Sequence, residues 1–201
     1  MHDLIIRGGS IVDGSGAKSY TGDIAIKSDK IVEVGEVAGT AHQEIDARGL
    51  MVTPGWVDIH TQYDGQAMWD PHLTPSSWHG CTSVVMGNCG VGFAPVTPGN
   101  EDWLIELMES VEDIPGSALS EGLDWSWQSF PDYLDALETQ DRAIDIGTQV
   151  PHCAVRAYVM GERCLDELIA SHEDIKSMSQ IVEEGLNAGA LGFSTSRTVV
   201  H

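Results

Sequence analysis

Two polar side chains follow an apolar run near residue 60, and both are of types that can meet a metal ion or a substrate. The run Trp56–His60 is typical of a buried strand that ends in a polar residue. Residues two apart in a strand face the same side, so we expect His60 and Gln62 to point together. An imidazole at a strand end can bind a divalent metal. A single histidine is a weak signal, however, and a structural role stays open.

A cysteine occupies a similar position further along the chain. Cys89 lies between glycines in the segment 87–90, directly after the apolar run Thr82–Met86. The glycines allow the backbone to approach a bound ion closely. A thiolate is a strong zinc ligand and can bridge two ions, but a cysteine is also a small apolar side chain that is often buried. The residue pattern alone leaves both roles open for Cys89.

The first part of the chain has the pattern of short strands. Residues 1–52 alternate apolar and polar residues in runs bounded by glycine and aspartate, which is typical of half-buried strands. We therefore expect a small β-domain of the sandwich type over residues 1–52. The predicted strands are Asp3–Arg7, Ser10–Asp13, Asp23–Lys27 and Lys30–Gly35, with turns at Gly8-Gly9 and Ser28-Asp29.

Strands alternate with helices over residues 53–201, which indicates a parallel sheet with right-handed crossovers. Asn100 and Ser171 are expected to cap helices, and Gly189 is expected to end one. Polar residues gather just past the strand ends, where α/β sheets and barrels place their chemistry. The predicted strands are Trp56–His60, Thr82–Met86, Ala143–Val150 and Ala190–Ser194, and the predicted helices are Glu101–Val111, Ser129–Glu138 and Glu173–Ala188.

The charge of the chain excludes two classes of partner. Thirty-one acidic residues against ten basic ones give a formal net charge of −21 at pH 7. Proteins that bind nucleic acid or anionic membranes need the opposite sign. No apolar stretch approaches the roughly 20 residues of a membrane span, and the N-terminus lacks the pattern of a secretory signal. We expect a cytoplasmic protein whose four widely spaced cysteines are free thiols or metal ligands.

The order of these features resembles the amidohydrolase superfamily, in which a small β-domain precedes a segment like Val52–His60. The segment Trp78–Gly90 is similar to the part of N-acyl-D-amino-acid deacylases that carries their metal-binding cysteine, and Val150–Arg156 and Gly189–Ser196 agree with it. The resemblance spans the whole chain. It implies an α/β fold in which residues 53–201 form the first half of a (β/α)8 barrel of the TIM type.

The resemblance also implies a zinc hydrolase in which His60 and Cys89 bind the metal. Many amidohydrolases bridge two metals with a carbamylated lysine at the end of the fourth strand, and this chain has no lysine near Phe193. Any bridging role therefore falls to Cys89. Position 62 departs from the usual His-x-His pattern, because the amide oxygen of Gln62 is a poorer zinc ligand than imidazole. We expect one tightly bound zinc ion, with Gln62 hydrogen-bonding water or substrate.

Three further residues are weaker candidates. Asp64 lies past the first strand end, where it could orient a ligand or bind substrate. His152 ends the third predicted strand and could line the pocket or support a metal ligand. Arg197, past the fourth strand, could meet a substrate carboxylate.

The resemblance implies that more of the enzyme is needed than these residues. A closed barrel of this type has eight strands and typically about 250 residues, and only four strands are predicted after residue 52. The general-base aspartate and further metal histidines of the family come from later strands. We expect this missing half in cis or as a separate chain, and the assembled protein to be an oligomer.

The expected reaction is hydrolysis of the amide bond of N-acyl-D-amino acids or similar linear amides. One alternative is another amidohydrolase activity on a cyclic amide or a related C–N bond. A second is a non-catalytic half-barrel that serves as a binding subunit. Gln62 and the small number of strands favour the binding subunit, whereas the presence of both His60 and Cys89 favours the enzyme.

Overall fold

The computed structural model describes residues 1–166 and 169–196, and the chain divides into two compact units, Met1–Gly55 and Trp56–His201. Arg197 lies outside the described residues. The first unit is a five-stranded sheet of β1 His2–Ile11, β2 Tyr20–Lys27, β3 Lys30–Gly35, β4 Ala41–Asp46 and β5 Met51–Val52. Strand β1 lies between β2, which is antiparallel to it, and β4, which is parallel to it. Strand β3 pairs with the other edge of β2, and β5 also pairs with β1.

The glycine pair at residues 8 and 9 forms a bulge, so the predicted turn is wrong. Strand β1 runs through the pair, and its register against β2 shifts between Ile6 and Gly9. Gly8 has a φ of 67°, and its amide donates to the Asp23 carboxylate over 2.8 Å. Bulges and turns both use left-handed glycine, so the glycine signal alone does not distinguish them. The sequence pattern also fails to predict β4 and β5.

The second unit combines short parallel strands with helices in a mixed α/β fold. Its strands are β6 Trp56–Asp58, β7 Cys81–Met86, β8 Asp145–Thr148, β9 Val150–Pro151 and β10 Phe193–Ser194. Strands β6, β7 and β8 form one parallel sheet in that order, and β9 pairs in parallel with β10. The helices are α1 Glu101–Glu112, α2 Gly116–Gly122, α3 Phe130–Glu138, α4 His152–Met160, α5 Arg163–Asp166 and α6 His172–Ala188.

Two helix starts follow the sequence signals closely. Ser129 caps α3 and Ser171 caps α6, each in a reciprocal capping box with the aspartate three residues later. Gly189 follows the end of α6 with a φ of 123°, as predicted. Asn100 precedes α1 but makes no side-chain cap, so that prediction is wrong. Its φ and ψ of −108° and 13° lie outside the extended region from which a cap side chain reaches the first turn.

Three of the four strands predicted for the second unit are shorter than expected, whereas β7 begins one residue earlier, and the third predicted strand is interrupted. Residue 149 separates β8 from β9, and its amide donates to the Met86 carbonyl over 3.0 Å. His152 therefore begins α4 rather than ending a strand. The first strand is also not buried as predicted. Trp56 is 56% exposed and Val57 57% exposed, because in the described chain β6 pairs only with β7.

The core of the second unit lies between β7 and the helices. Val84 and Met86 on β7 are buried in one cluster with Met108 of α1 and with Phe130 and Tyr133 of α3. Burial of this kind contributes roughly 25 cal/mol per Å² of apolar area, and it fixes the carboxyl end of β7 against the helices. Among the described residues, no helix is both long enough and apolar enough to cross a membrane.

Candidate functional site

His60 and Cys89 meet at the carboxyl ends of two neighbouring parallel strands. His60 lies two residues after β6 and Cys89 three residues after β7. The distance from His60 Nε2 to Cys89 Sγ is 3.0 Å. As residues, His60 is exposed and Cys89 is half-buried. Of the residues singled out from sequence, this is the pair that the fold brings into direct contact.

The backbone of the loop Gly87–Gly90, which we call the Cys89 loop, is unusual. Cys89 adopts a φ of 57°, in the left-handed region that non-glycine residues rarely occupy. Gly87 has a φ of 74°, and a Cβ there would lie 2.2 Å from the Gln149 carbonyl oxygen. Only glycine fits this position. The close passage of β8 and β9 thus determines where the loop turns and where the thiol emerges.

Two serines at or just past the end of β10, Ser194 and Ser196, bond to the Cys89 loop. The Ser194 hydroxyl donates to the Gly87 carbonyl and accepts a bond from the Gly90 amide over 3.1 Å. The Ser196 hydroxyl donates to the Cys89 carbonyl over 2.8 Å. The sequence analysis missed both residues, because their partners lie 104 to 107 positions away. A Ser-Thr-Ser sequence at a strand end was the available signal.

Asp64 lies beneath the Cys89 loop. It is 1% exposed, its carboxylate accepts a bond from the Gly87 amide over 3.2 Å, and its backbone carbonyl accepts one from the buried Tyr133 hydroxyl over 2.8 Å. Burial raises the pKa of the Asp64 carboxyl to about 7, and the negative charge of Glu112 adds to the shift. This burial favours a role in orienting the loop over direct contact with substrate.

The buried carboxyl predicts a pH-dependent stability. The folded-state pKa of Asp64 exceeds its ordinary value, so Asp64 contributes most to the free energy of unfolding below about pH 4. This contribution is lost as the pH rises through about 7. Asp64→Asn has a similar shape and cannot ionise. We expect its urea midpoint relative to the parent protein to rise between about pH 5 and about pH 8, by an amount equivalent to roughly 2–3 kcal/mol. Parallel pH profiles would contradict this.

Among the described residues, no hydrogen bond joins Gln62 or His152 to the His60–Cys89 pair. Gln62 Oε1 is buried without a hydrogen-bond partner among the described residues. His152 is half-buried, and its Nδ1 lies 3.1 Å from the Thr195 hydroxyl. Burial and the nearby positive charge of Arg156 lower the pKa of His152, which favours the neutral ring. Both residues therefore remain candidates for supporting the site.

The residues present suit a zinc ion in part. No group of three His, Cys, Asp or Glu side chains within residues 1–166 and 169–196 is arranged to hold an ion. Imidazole nitrogen and thiolate sulfur are both good zinc ligands, and in a tetrahedral site they lie about 3.6 Å apart. The distance from His60 Nε2 to Cys89 Sγ is 3.0 Å, which is shorter than this value, so the two side chains would move slightly apart to share an ion. The pair can thus contribute two ligands to a site that needs others.

The part of the chain that contains both His60 and Cys89 matches a known protein family. The profile described as "Amidohydrolase family" matches residues 43–201. The chain belongs to the amidohydrolase family. This confirms the resemblance inferred from the sequence.

The relatives of this amidohydrolase are longer proteins. The D-aminoacylase of Alcaligenes xylosoxydans xylosoxydans is 33% identical over 194 residues, covering 96% of this chain and 37% of the relative. A solved D-aminoacylase, described as having a binuclear metal centre with one-metal activation and second-metal attenuation, matches with a TM-score of 0.78 and 32% identity, covering 97% of this chain and 38% of that one. N-acyl-D-glutamate deacylase from Bordetella bronchiseptica, solved with zinc and a phosphonate inhibitor, matches with a TM-score of 0.76 and 31% identity. This match covers 96% of this chain and 38% of that one.

Proposed function

We propose that this amidohydrolase chain is part of a zinc-dependent hydrolase that cleaves the amide bond of N-acyl-D-amino acids or similar linear amides. The observation that carries the proposal is the 3.0 Å contact between His60 Nε2 and Cys89 Sγ at two adjacent strand ends. The D-aminoacylase and the D-glutamate deacylase, both more than 30% identical to the chain, support the substrate class.

In this proposal His60 and Cys89 hold the metal. A zinc ion bound by these two residues would supply a Lewis acid for the amide carbonyl and for an attacking water near neutral pH. The Cys89 loop fixes the thiol, and Asp64 supports the loop from below through the Gly87 amide. The general-base aspartate implied by the family resemblance would accept and return the proton, and we expect it in the part of the relatives that this chain does not cover.

Gln62 is proposed to limit the site to one tightly held ion. Its carboxamide stands two residues after His60, where an imidazole would supply a second nitrogen ligand. A neutral amide oxygen is a poor zinc ligand beside imidazole. The buried Oε1 of Gln62, which has no partner among the described residues, is instead available to accept a hydrogen bond from water or substrate.

Gln62→His is expected to create a second metal site. Because it restores a pair of imidazoles two residues apart, the variant should bind two zinc equivalents where the parent binds one. Metal analysis after dialysis gives the stoichiometry, and Gln62→Ala, which adds no ligand, should keep a single equivalent. Two firmly bound equivalents in the parent protein would refute the one-ion proposal.

We further propose that residues 53–201 form the first half of a (β/α)8 barrel, after a β-domain over residues 1–52. The parallel order β6-β7-β8 and the parallel pair β9–β10 support this. The remaining strands come from the same polypeptide or from a second one, and we call the chain joined to them the complete hydrolase. The exposed apolar residues on β6 and next to β10, among them Val57, Ile59 and Leu191, support such a contact.

The substrate class is tested by assaying the complete hydrolase with zinc against matched compounds. We expect turnover of N-acyl-D-amino acids and little turnover of their L enantiomers. Preferential hydrolysis of cyclic amides would support the alternative amidohydrolase activity. Binding of either compound without turnover would support the non-catalytic subunit.

A further inference from the structure

Three consecutive hydroxyls, those of Ser194, Thr195 and Ser196, follow from the end of β10, and each bonds to a different part of the candidate site. We call these three residues the hydroxyl triplet. Ser194 bonds to both Gly87 and Gly90, and Ser196 bonds to the Cys89 carbonyl. Thr195 Oγ1 lies 3.1 Å from His152 Nδ1. The sequence indicates that this segment resembles part of the N-acyl-D-amino-acid deacylases, but it does not predict these hydrogen bonds.

The triplet bonds to both sides of a strained residue. A non-glycine residue in the left-handed region is strained and persists only when its surroundings hold it there. Cys89 has a φ of 57°, and the carbonyl two residues before it, its own carbonyl and the next amide are all bonded to Ser194 or Ser196. The hydrogen bonds of the triplet therefore offset the strain at Cys89.

We propose that Ser194, assisted by Ser196, is a positioning residue for Cys89, so that metal affinity at the His60–Cys89 pair is controlled from the end of β10. The proposal rests on the zinc function proposed above. The Ser194 hydroxyl acts as both donor and acceptor, which fixes the loop at Gly87 and at Gly90, three positions further along the chain. The direction of Cys89 Sγ toward His60 Nε2, 3.0 Å away, depends on that geometry.

The decisive variants are Ser194→Ala, which removes both bonds, and Ser194→Thr, which keeps the hydroxyl. Loss of a group that orients a metal ligand typically costs 10–100-fold in metal affinity. We expect Ser194→Ala in the complete hydrolase to weaken zinc binding by about 10–100-fold, measured by chelator competition, and Ser194→Thr to recover most of the loss. Ser110→Ala is the matched control, because the Ser110 hydroxyl also donates to a backbone carbonyl but on the exposed side of α1.

A second readout does not require metal. In metal-free protein, peptide-resolved alkylation should be severalfold faster at Cys89 in Ser194→Ala than in the parent, with Cys81 unchanged. If Ser194→Ala does not fold, Ser196→Ala, which removes only the bond to the Cys89 carbonyl, should show both effects in weaker form.

The outcomes separate this inference from the proposed function. A parent protein that binds no zinc through Cys89 would defeat the proposed function, and the Cys89 alkylation rates would still decide whether Ser194 positions the thiol. Unchanged zinc affinity and unchanged Cys89 alkylation in both alanine variants would overturn the inference.

Discussion

Replacing Cys89 with alanine in the complete hydrolase is expected to abolish tight zinc binding and to lower kcat/KM for an N-acyl-D-amino acid by roughly a thousandfold or more. The Cys89 thiol is one of the two candidate ligands in the described part of the chain and lies 3.0 Å from the other, His60 Nε2. Zinc contributes several kcal/mol of transition-state stabilisation, and each 1.36 kcal/mol corresponds to about a factor of ten in rate. Zinc content and kinetics on the same preparation test both parts.

The matched control is Cys81→Ala, on the same strand β7 and also half-buried. It should retain zinc and activity. Substituting cobalt for zinc adds a spectroscopic test, because a thiolate ligand gives a sulfur-to-metal charge-transfer band that Cys89→Ala should lack. Normal zinc content and normal turnover in Cys89→Ala would eliminate this residue as a ligand.

The second large effect is expected from residues 1–201 purified alone. Ile59 is 72% exposed and Leu191 63% exposed, next to the outer strands β6 and β10 of the second unit. Apolar surface and unpaired strand edges of this kind favour association. We expect the chain alone to aggregate and to show no hydrolysis with zinc present, and we expect production together with the completing strands to restore solubility and activity. The contact should exceed about 1,600 Å², because it resembles a domain core cut in half.

Two substitutions localise that contact. Ile59→Lys should impair assembly and activity of the complete hydrolase, because it places a charge in the proposed apolar contact. Ile169→Lys changes an isoleucine that is 85% exposed and lies between α5 and α6, and it should have no effect. A monodisperse 1–201 monomer that unfolds cooperatively and hydrolyses acyl-amino acids would contradict the proposal.

Local signals predicted the parts of the fold that local interactions determine. Ser129, Ser171 and Gly189 mark helix ends as expected, because each of them hydrogen-bonds to a residue no more than four positions away. The positions of His60 and Cys89 also followed from sequence, since both lie directly after apolar strands. Their role as metal ligands stays a prediction.

The rest of the site depends on contacts that no local pattern encodes. Asp64 was placed past a strand end, but its burial results from packing between the Cys89 loop and Tyr133. Ser194 finds its partner at Gly87 across 107 positions. A glycine pair that reads as a turn forms a bulge because β2 lies alongside it, as the shift after Ile6 demonstrates.

The distance in sequence between the Cys89 loop and the hydroxyl triplet has a consequence for biosynthesis. The ribosome completes Gly87 107 residues before Ser194, and at roughly 5–20 residues per second this interval lasts about 5–20 s. His60, which precedes the loop, is already available during that time. The nascent chain can therefore bring the two side chains together early, but the left-handed backbone at Cys89 gains its hydrogen bonds only when residues 194–196 emerge. The geometry of the thiol is thus completed only after Ser194 and Ser196 have been translated, long after His60 and Cys89.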